Sequence, residues 1–225
     1  MRPFSKKMKS QIQLTDFEQE LFASLKEVAS ECELNTTMRV AGGWVRDKML
    51  GLNSDDIDIA LDDMYGSEFS RLLVQKGKAN KFDVIKANSE KSKHLETATL
   101  RIKGVPIDFV NLRAERYTEV SRVPDIQAGT AMEDAYRRDL TINALFYNIN
   151  EDKIEDFTGR GISDLETRTI RTPLDPLQTF LDDPLRVIRA IRFANRFEFC
   201  PTPELLNAAK HASVRVSFHF CIIIL

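Results

Sequence analysis

The spacing of apolar residues predicts a helix, a strand, a second helix and a second strand in the first part of the chain. Residues 16–30 carry apolar side chains at positions 17, 21, 22, 25 and 28, which is the 3.6-residue period of a helix packed on a core. Residues 37–41 (TMRVA) form a short β-prone run. A helix should start after Gly42 and Gly43 and end at Gly51 and Asn53, residues typical of helix ends.

The second strand is predicted by alternation. In residues 56–61 (DIDIAL) the period of two places Asp56 and Asp58 on one face and Ile57 and Ile59 on the other. Two carboxylates as close together as these repel each other unless a cation lies between them. Mg²⁺ prefers one or two carboxylates plus substrate phosphates, so the pattern predicts a magnesium site.

The glycine pair before the helix fits the same chemistry. At Gly42 and Gly43 the backbone can turn and let phosphate oxygens approach its N–H groups. Arg46, in the first turn of the predicted helix, is a planar donor suited to phosphate oxygens. A lone glycine pair is usually only a turn and a lone DxD is usually a solvated edge. Their order and spacing favour a site for a nucleoside triphosphate and a divalent metal.

The rest of the chain alternates between the two periods. We expect a helix at 66–77, a long mobile loop at 114–131, which is polar and contains Pro124, a helical turn from Glu133 and a final helical block from Thr179. Further strands are predicted at 82–85, 97–102, 105–112, 144–149 and 153–157.

Asp108 lies on the predicted strand 105–112, 50 residues after Asp58. A third catalytic carboxylate is expected from a strand next to that of Asp58. The alternative is an edge-strand aspartate that faces water, and the spacing leaves both open because it does not fix strand pairing.

Composition narrows the class of protein. Of 225 residues, 43% are hydrophobic and 29% charged, with a net charge of −2, so the chain is an ordinary globular protein without a global basic field. Three widely spaced cysteines and three histidines fit neither a disulfide framework nor structural zinc. No run approaches the roughly 18 apolar residues of a membrane span. We expect a soluble intracellular protein of the cytoplasm, nucleus and/or mitochondrion. Residues 1–13 are basic, either as a weak targeting segment or as a frayed start.

Three longer motifs follow in the second half of the chain. They are EDAYRRDLTINAL at 133–145, DFTGRGISDL at 156–165 and LDDPLRVIRAIRF at 181–193. They resemble the RRDxTINAL, DxxGGxxDL and (E/D)DxxRxxRxxRF motifs of class II tRNA nucleotidyltransferases, the CCA-adding enzymes of the polymerase-β-type superfamily. With GGWVRD at 42–47 and DID at 56–58, ordered motifs cover residues 37–197, and such an ordered set is highly specific.

The resemblance implies a fold and an activity. The fold is α+β, a polymerase-β-like nucleotidyltransferase head with a mixed sheet and flanking helices, followed by the start of an all-helical neck. The implied boundaries are 1–148 for the head, 149–212 for linker and neck, and 213–225 for an atypical tail. The activity is addition of C and A from CTP and ATP to the 3′ end of tRNA without a template, using Mg²⁺ held by Asp56 and Asp58.

The same resemblance implies the residues that contact the nucleotide. Asn143, one turn after Asp139, would bond the ribose or brace the motif. The implied set is Gly42, Gly43, Arg46, Arg138, Asp139, Asn143, Asp183, Arg186, Arg189 and Arg192.

Asp183 and Arg186 also have an independent chemical argument. Three residues apart on a helix, they share a face. A carboxylate that accepts beside a guanidinium that donates matches the exocyclic amine and ring nitrogen of cytosine or adenine, whereas uracil and guanine present the reverse order. Mismatched polar pairs would be left unsatisfied, at about 1–3 kcal/mol each. The alternative is an ordinary i,i+3 salt bridge worth a few tenths of a kcal/mol.

Several alternatives stay open at this point. Poly(A) polymerases of the bacterial type share these motifs, and some organisms divide CC and A addition between two enzymes. Residues 213–225 (SVRVSFHFCIIIL) match no family segment and form an aggregation-type window, which favours a truncated form with a poor hold on tRNA, or a non-catalytic RNA-binding form. Segment 114–131 or 86–94 could govern the change from C to A addition. The sequence leaves the oligomeric state open.

Overall fold

A computed structural model describes residues 11–54, 56–80, 82–85, 97–118 and 121–215. The helices are α1 (Asp16–Glu31), α2 (Gly43–Met49), α3 (Gly66–Gln75), α4 (Ala131–Tyr136), α5 (Gly161–Glu166), α6 (Pro176–Asp182), α7 (Leu185–Phe197) and α8 (Pro203–Lys210). The strands are β1 (Met38–Ala41), β2 (Ile57–Leu61), β3 (Phe82–Ile85), β4 (Thr97–Ile102), β5 (Val105–Asn111), β6 (Arg113–Thr118), β7 (Ser121–Ala128), β8 (Phe146–Asn148), β9 (Lys153–Glu155), β10 (Thr169–Ile170) and β11 (Cys200–Pro201).

Seven strands form the central sheet, in the order β3-β4-β5-β2-β1-β8-β9. The pair β2 and β5 is parallel and the other neighbours are antiparallel. The mixed sheet with flanking helices confirms the predicted α+β class. Its last strand, β9, lies beyond the head boundary expected at residue 148.

The predicted first helix is confirmed as α1. Thr15 and Glu18 cap its start reciprocally, since each side chain bonds the other residue's backbone N–H. The buried face of α1 includes Leu21, Leu25 and Val28, at the helical period. This face packs into the main core together with the apolar residues of β1, β2 and β5.

The prediction of a mobile loop at 114–131 is wrong. Strands β6 and β7 form an antiparallel hairpin there, with Arg113 opposite Ala128, and α4 follows. A hairpin of this kind is held by backbone hydrogen bonds and needs no apolar alternation, which is why the hydropathy pattern missed it. Its register shifts between Arg116 and Thr118. The second loop considered for base switching, 86–94, lies outside the described residues.

The single helical block predicted from Thr179 is divided into α6 and α7. Asp183 lies between them in an extended conformation, with φ −142° and ψ 98°. Pro184 follows, and its ring disfavours helical geometry in the residue before it. The break therefore has a local cause, and Asp183 does not lie on the helix that carries Arg186.

Within the part of the chain that the structure describes, no helix is both long enough and apolar enough to cross a membrane.

Candidate active site

Asp58 and Asp108 are paired residues on the parallel strands β2 and β5. Directly paired residues on neighbouring strands project to the same face of a sheet. Strand β5 lies between β4 and β2, so the edge-strand alternative for Asp108 is wrong. The Thr99 hydroxyl on β4 donates to the Asp108 carboxylate at 2.5 Å. Asp56 is exposed and immediately precedes β2.

The carboxylates of Asp56 and Asp108 act on that of Asp58. Burial, which is the largest cause, and the charges of Asp56 and Asp108 together raise the pKa of Asp58 to about 6. A divalent cation would relieve this repulsion, so the donor chemistry fits a metal. Among the described residues there is no group of three or more histidine, cysteine, aspartate or glutamate side chains arranged to hold a metal ion.

Gly42 brings the backbone close to Arg138. Its φ of +66° lies in the region that favours glycine, and a Cβ atom there would stand 2.5 Å from Nη1 of Arg138. The Gly42 N–H donates to the Leu145 carbonyl at 2.9 Å. Gly43 then starts α2 as predicted. The turn at the glycine pair is therefore fixed against the segment that contains Arg138.

Asp134 holds Arg138 in this position. Its buried carboxylate accepts hydrogen bonds from Nε and Nη2 of Arg138 at 2.9 and 2.7 Å. It also accepts hydrogen bonds from Nε and Nη2 of Arg137 at 2.9 and 2.6 Å. Burial alone would raise the pKa of Asp134, but the charges of Arg138 and Arg137 hold it below its usual range. The remaining donor of Arg138, Nη1, bonds the Asn143 carbonyl at 3.2 Å.

Asp139, Asn143 and Arg189 form a second connected group. The Asn143 amide donates to Oδ1 of Asp139 at 3.0 Å, and Nε of Arg189 donates to Oδ2 of the same carboxylate at 2.7 Å. The proposed bracing role of Asn143 fits these contacts. The Arg189 side chain is 46% exposed, so part of it remains available to solvent.

Arg46, which the sequence suggested as a donor to phosphate oxygens, is buried. It is only 5% exposed, and its guanidinium bonds the side chains of Asp47 and Asn143. The guanidinium carbon lies 4.9 Å from the ring centre of Phe193 and 4.8 Å from that of Phe197, both on α7. Burial lowers the pKa of Arg46 from its usual value, and the charge of Asp47 opposes that shift.

Asp183 and Arg186 lie close together despite the helix break. Nε of Arg186 is 3.8 Å from the Asp183 carboxylate, and Nη2 is 3.4 Å from that of Glu115 on β6. The central carbon of the Arg192 guanidinium lies 5.2 Å from the ring centre of Phe193, and Arg192 is exposed. The structure thus brings Arg186, Arg189 and Arg192 together on α7.

Sequence reasoning missed several residues of this region. Glu115 was lost because its segment was interpreted as a loop, and Thr99 because a strand threonine carries no signal. Asp134, Phe193 and Phe197 stood inside or beside recognised motifs without an assigned role, although an acid three and four residues before two arginines is a usable signal on a helix. The missed residues are Thr99, Glu115, Asp134, Phe193 and Phe197.

Comparison with known proteins adds the family. The model of the poly A polymerase head domain matches residues 38–171. A mitochondrial CCA tRNA nucleotidyltransferase of Saccharomyces cerevisiae is 51% identical over 192 residues, covering 81% of this chain and 35% of that protein. A CC-adding tRNA nucleotidyltransferase of Deinococcus radiodurans is 33% identical over 188 residues, covering 82% of this chain and 47% of that protein.

Solved structures agree with these matches. CCA-adding enzyme complexes with ATP and with CTP have TM-scores of 0.71 and 0.67 at 30% and 32% identity. They cover 92% and 88% of this chain, and this chain covers 44% and 42% of theirs. The chain spans 35% of the length of the Saccharomyces cerevisiae relative and 47% of that of the Deinococcus radiodurans relative. The chain therefore belongs to the poly A polymerase head domain family, together with the tRNA nucleotidyltransferases that it matches.

Proposed function

We propose that this chain is the catalytic part of an enzyme that adds C and A from CTP and ATP to the 3′ end of tRNA without a nucleic-acid template. The observation that carries the proposal is the carboxylate pair of Asp58 and Asp108 on adjacent strands. Its clustered negative charge suits metal-dependent nucleotidyl transfer. The names of the yeast relative and of the enzyme solved with CTP support the substrates.

Nucleotidyl transfer in this family depends on a divalent metal ion. We propose Mg²⁺, held by Asp56 and Asp58, because hard carboxylate oxygens with substrate phosphates are the donors that it prefers. When bound, the metal would lower the pKa of the tRNA 3′-hydroxyl and neutralise charge on the triphosphate. Asp108, oriented by Thr99, completes the acidic face on which the hydroxyl and the α-phosphate meet.

The triphosphate is proposed to lie along the glycine turn. Gly42 and Gly43 present no side chains there, and the fixed guanidinium of Arg138 places positive charge against the turn. Arg189 and Arg192 add charge from α7, which favours a polyanion. Asp139 and Asn143 would orient the ribose, because their side chains are already held by one another.

Base choice is proposed to rest on Asp183 and Arg186. The Asp183 carboxylate accepts and the Arg186 guanidinium donates, the pattern that complements the edges of cytosine and adenine. The pair is separated by 3.8 Å. The Asp183 side chain is 40% exposed and the Arg186 side chain 12%, so a base would approach from the side of Asp183. In the absence of a base the loose ion pair is worth little, since a partly exposed contact of this kind contributes about 0–1 kcal/mol.

A divided activity is the second candidate, because the matched Deinococcus radiodurans protein is named as a CC-adding enzyme. The compartments expected from the sequence include that of the yeast relative, whose name places it in the mitochondrion.

One assay separates these candidates. The purified chain is incubated with tRNA that ends before CCA, with Mg²⁺ and with each labelled nucleotide singly and together. Addition of C and then A supports the proposal, and C alone or A alone supports a divided activity. Long runs of A would indicate a poly(A) polymerase. Tight RNA binding without any addition would indicate a non-catalytic form and overturn the proposal.

A further inference from the structure

The guanidinium of Arg46 lies against two neighbouring aromatic rings of α7. Its central carbon is 4.9 Å from the ring centre of Phe193 and 4.8 Å from that of Phe197. Phe193 and Phe197 are four residues apart and their rings are nearly parallel, at an interplanar angle of 6°. A planar delocalised cation stacks well on ring faces, and an ammonium does so less specifically. We call Arg46, Phe193 and Phe197 the arginine clamp.

Hydrogen bonds to Asp47 and Asn143 fix the guanidinium of the clamp. Nε of Arg46 donates to Oδ1 of Asp47 at 2.8 Å, Nη2 lies 2.8 Å from the same oxygen, and Nη1 donates to Oδ1 of Asn143. Asp47 also lies 3.9 Å from Nη2 of Arg196, on α7. The donors of Arg46 are therefore used within the protein, in a position that is 5% exposed.

The clamp holds one end of the helix that carries the proposed base reader. Arg186 lies in the first turn of α7, where Glu115 contacts it, and Phe193 and Phe197 lie in the last two turns. Arg189 meets Asp139 between these two points. A rigid helix attached at both ends has a fixed direction. Loss of the attachment at Phe193 and Phe197 frees that end, so the whole helix, including Arg186, can turn about its remaining contacts.

We propose that Arg46 is a positioning residue for base selection and not a phosphate ligand. This inference rests on the proposed function, because it takes Asp183 and Arg186 as the base reader. By fixing α7 against α2, the clamp sets the place of the Arg186 guanidinium relative to Asp58 and Asp108. Its loss loosens discrimination among bases and leaves the affinity for the phosphate chain unchanged.

The test measures dissociation constants by titration calorimetry in Mg²⁺ for CTP, UTP and inorganic pyrophosphate, which carries phosphates without a base. The variants are Arg46→Lys, Phe197→Leu and both together. Arg71→Lys, an exposed arginine of α3, controls for the charge-preserving change. Leu73→Ala, a fully buried residue of α3, controls for loss of stability alone.

The proposal expects the preference for CTP over UTP to fall by about fivefold or more in each clamp variant, the effect of roughly 1 kcal/mol. The double variant should lose no more than either single variant, because both remove one contact. Pyrophosphate affinity should stay within about twofold of wild type, and neither control should alter the preference. A fall in pyrophosphate affinity with an unchanged CTP preference in Arg46→Lys would show a phosphate ligand and overturn the proposal.

The two proposals fail in different ways. If the wild-type chain does not prefer CTP to UTP, base selection by this site is wrong and the proposed function fails. The contact between Arg46 and Phe197 is then judged from thermal unfolding of the wild type, the two single variants and the double variant. Additive losses of stability in the double variant would show that Arg46 and Phe197 do not act together and would also overturn the clamp.

Discussion

Asp58 and Asp108 face each other across the only parallel pair of strands in the described part of the central sheet. They are 50 positions apart in sequence, yet they share one face. Asp56 adds a third charge, so that burial and two neighbouring carboxylates raise the pKa of Asp58 to about 6.

Asp58→Asn should abolish nucleotide addition while preserving the fold. The change keeps the shape of the side chain and removes one metal-binding charge, so we expect addition to fall by about 100-fold or more, as when a preorganised electrostatic group is lost. The melting temperature should not fall, because the change also relieves repulsion. Incorporation of labelled CMP and thermal unfolding measure both effects. Asp16→Asn, on the exposed side of α1, is the control, and retained turnover in Asp58→Asn would contradict the metal assignment.

Asp183→Ala and Arg186→Ala should relax base choice. Each removes one of two matched polar contacts worth about 1–3 kcal/mol, so discrimination against UTP and GTP should fall by about 5- to 150-fold. Competition between labelled nucleotides measures the preference. Asp182→Ala, the neighbouring carboxylate at the end of α6, should leave it unchanged. An unaltered preference in both variants would show that Asp183 and Arg186 form only an ordinary ion pair.

Gly42→Ala should disable the glycine turn for two separable reasons. The added methyl group meets positive φ and lies 2.5 Å from the Arg138 guanidinium. Gly77→Ala is the matched control, since Gly77 has a φ of +71° and a Cβ there meets nothing within 4 Å. Both variants carry backbone strain on the order of 1–3 kcal/mol. Only Gly42→Ala should lose more stability than that strain and also lose CTP binding, which unfolding curves and calorimetry would reveal.

Glu18→Gln should destabilise the protein in a pH-dependent way. Glu18 is buried, and its carboxylate accepts hydrogen bonds from the Lys48 ammonium at 2.6 Å and from the Trp44 indole N–H at 2.9 Å. Burial alone would raise the pKa of Glu18, but these donors and the Thr15 N–H hold it below 4.5. Its ionic contribution is therefore fully present above pH 4.5 and is lost as the pH falls through the lower folded value.

The expected loss for Glu18→Gln is about 3 kcal/mol at pH 7, because one partner of a buried pair is removed. The gap between wild type and variant should narrow as the pH is lowered below 4.5, measured by urea unfolding at several pH values. The control Glu166→Gln, at an exposed position, should show no difference in stability from the wild type at any of these pH values. A constant gap across the range would mean that the charge of Glu18 is not responsible.

The sequence indicated an aggregation-type window at residues 213–225, but the structure shows that a truncation to remove it should not include Val214. Val214 is 1% exposed and belongs to the main core, so a chain that ends at residue 212 should lose about 1.5–3 kcal/mol. A chain that ends at Arg215 should keep its stability and CTP binding and aggregate less. Light scattering, unfolding and calorimetry compare the two.

The chain is also expected to hold tRNA more loosely than a longer relative, because its net charge of −2 offers few phosphate contacts. Affinity at fixed salt for the full chain and for the chain ending at Arg215 checks this. Tight, specific binding that depends on residues 216–225 would show that those residues have a genuine role.

Local patterns predicted most elements correctly. The helical period of α1, the alternation of β2 and the glycine-started helix α2 depend on near neighbours, so the sequence suffices for them. The hairpin of β6 and β7 was missed because its strands are polar and depend on each other. The position of Asp183 was wrong because Pro184 was not weighed as a break inside an otherwise helical motif.

The sequence by itself determined the family motifs, the two carboxylates Asp56 and Asp58, and the acceptor and donor character of Asp183 and Arg186, because each depends on residue type and short spacing. Only the tertiary structure decided that Asp108 joins Asp58, since strand pairing joins residues distant in the chain. It also decided that Arg46 faces Phe193 and Phe197. A guanidinium suits a phosphate or an aromatic ring equally well by its chemistry, and only packing between α2 and α7 selects the rings.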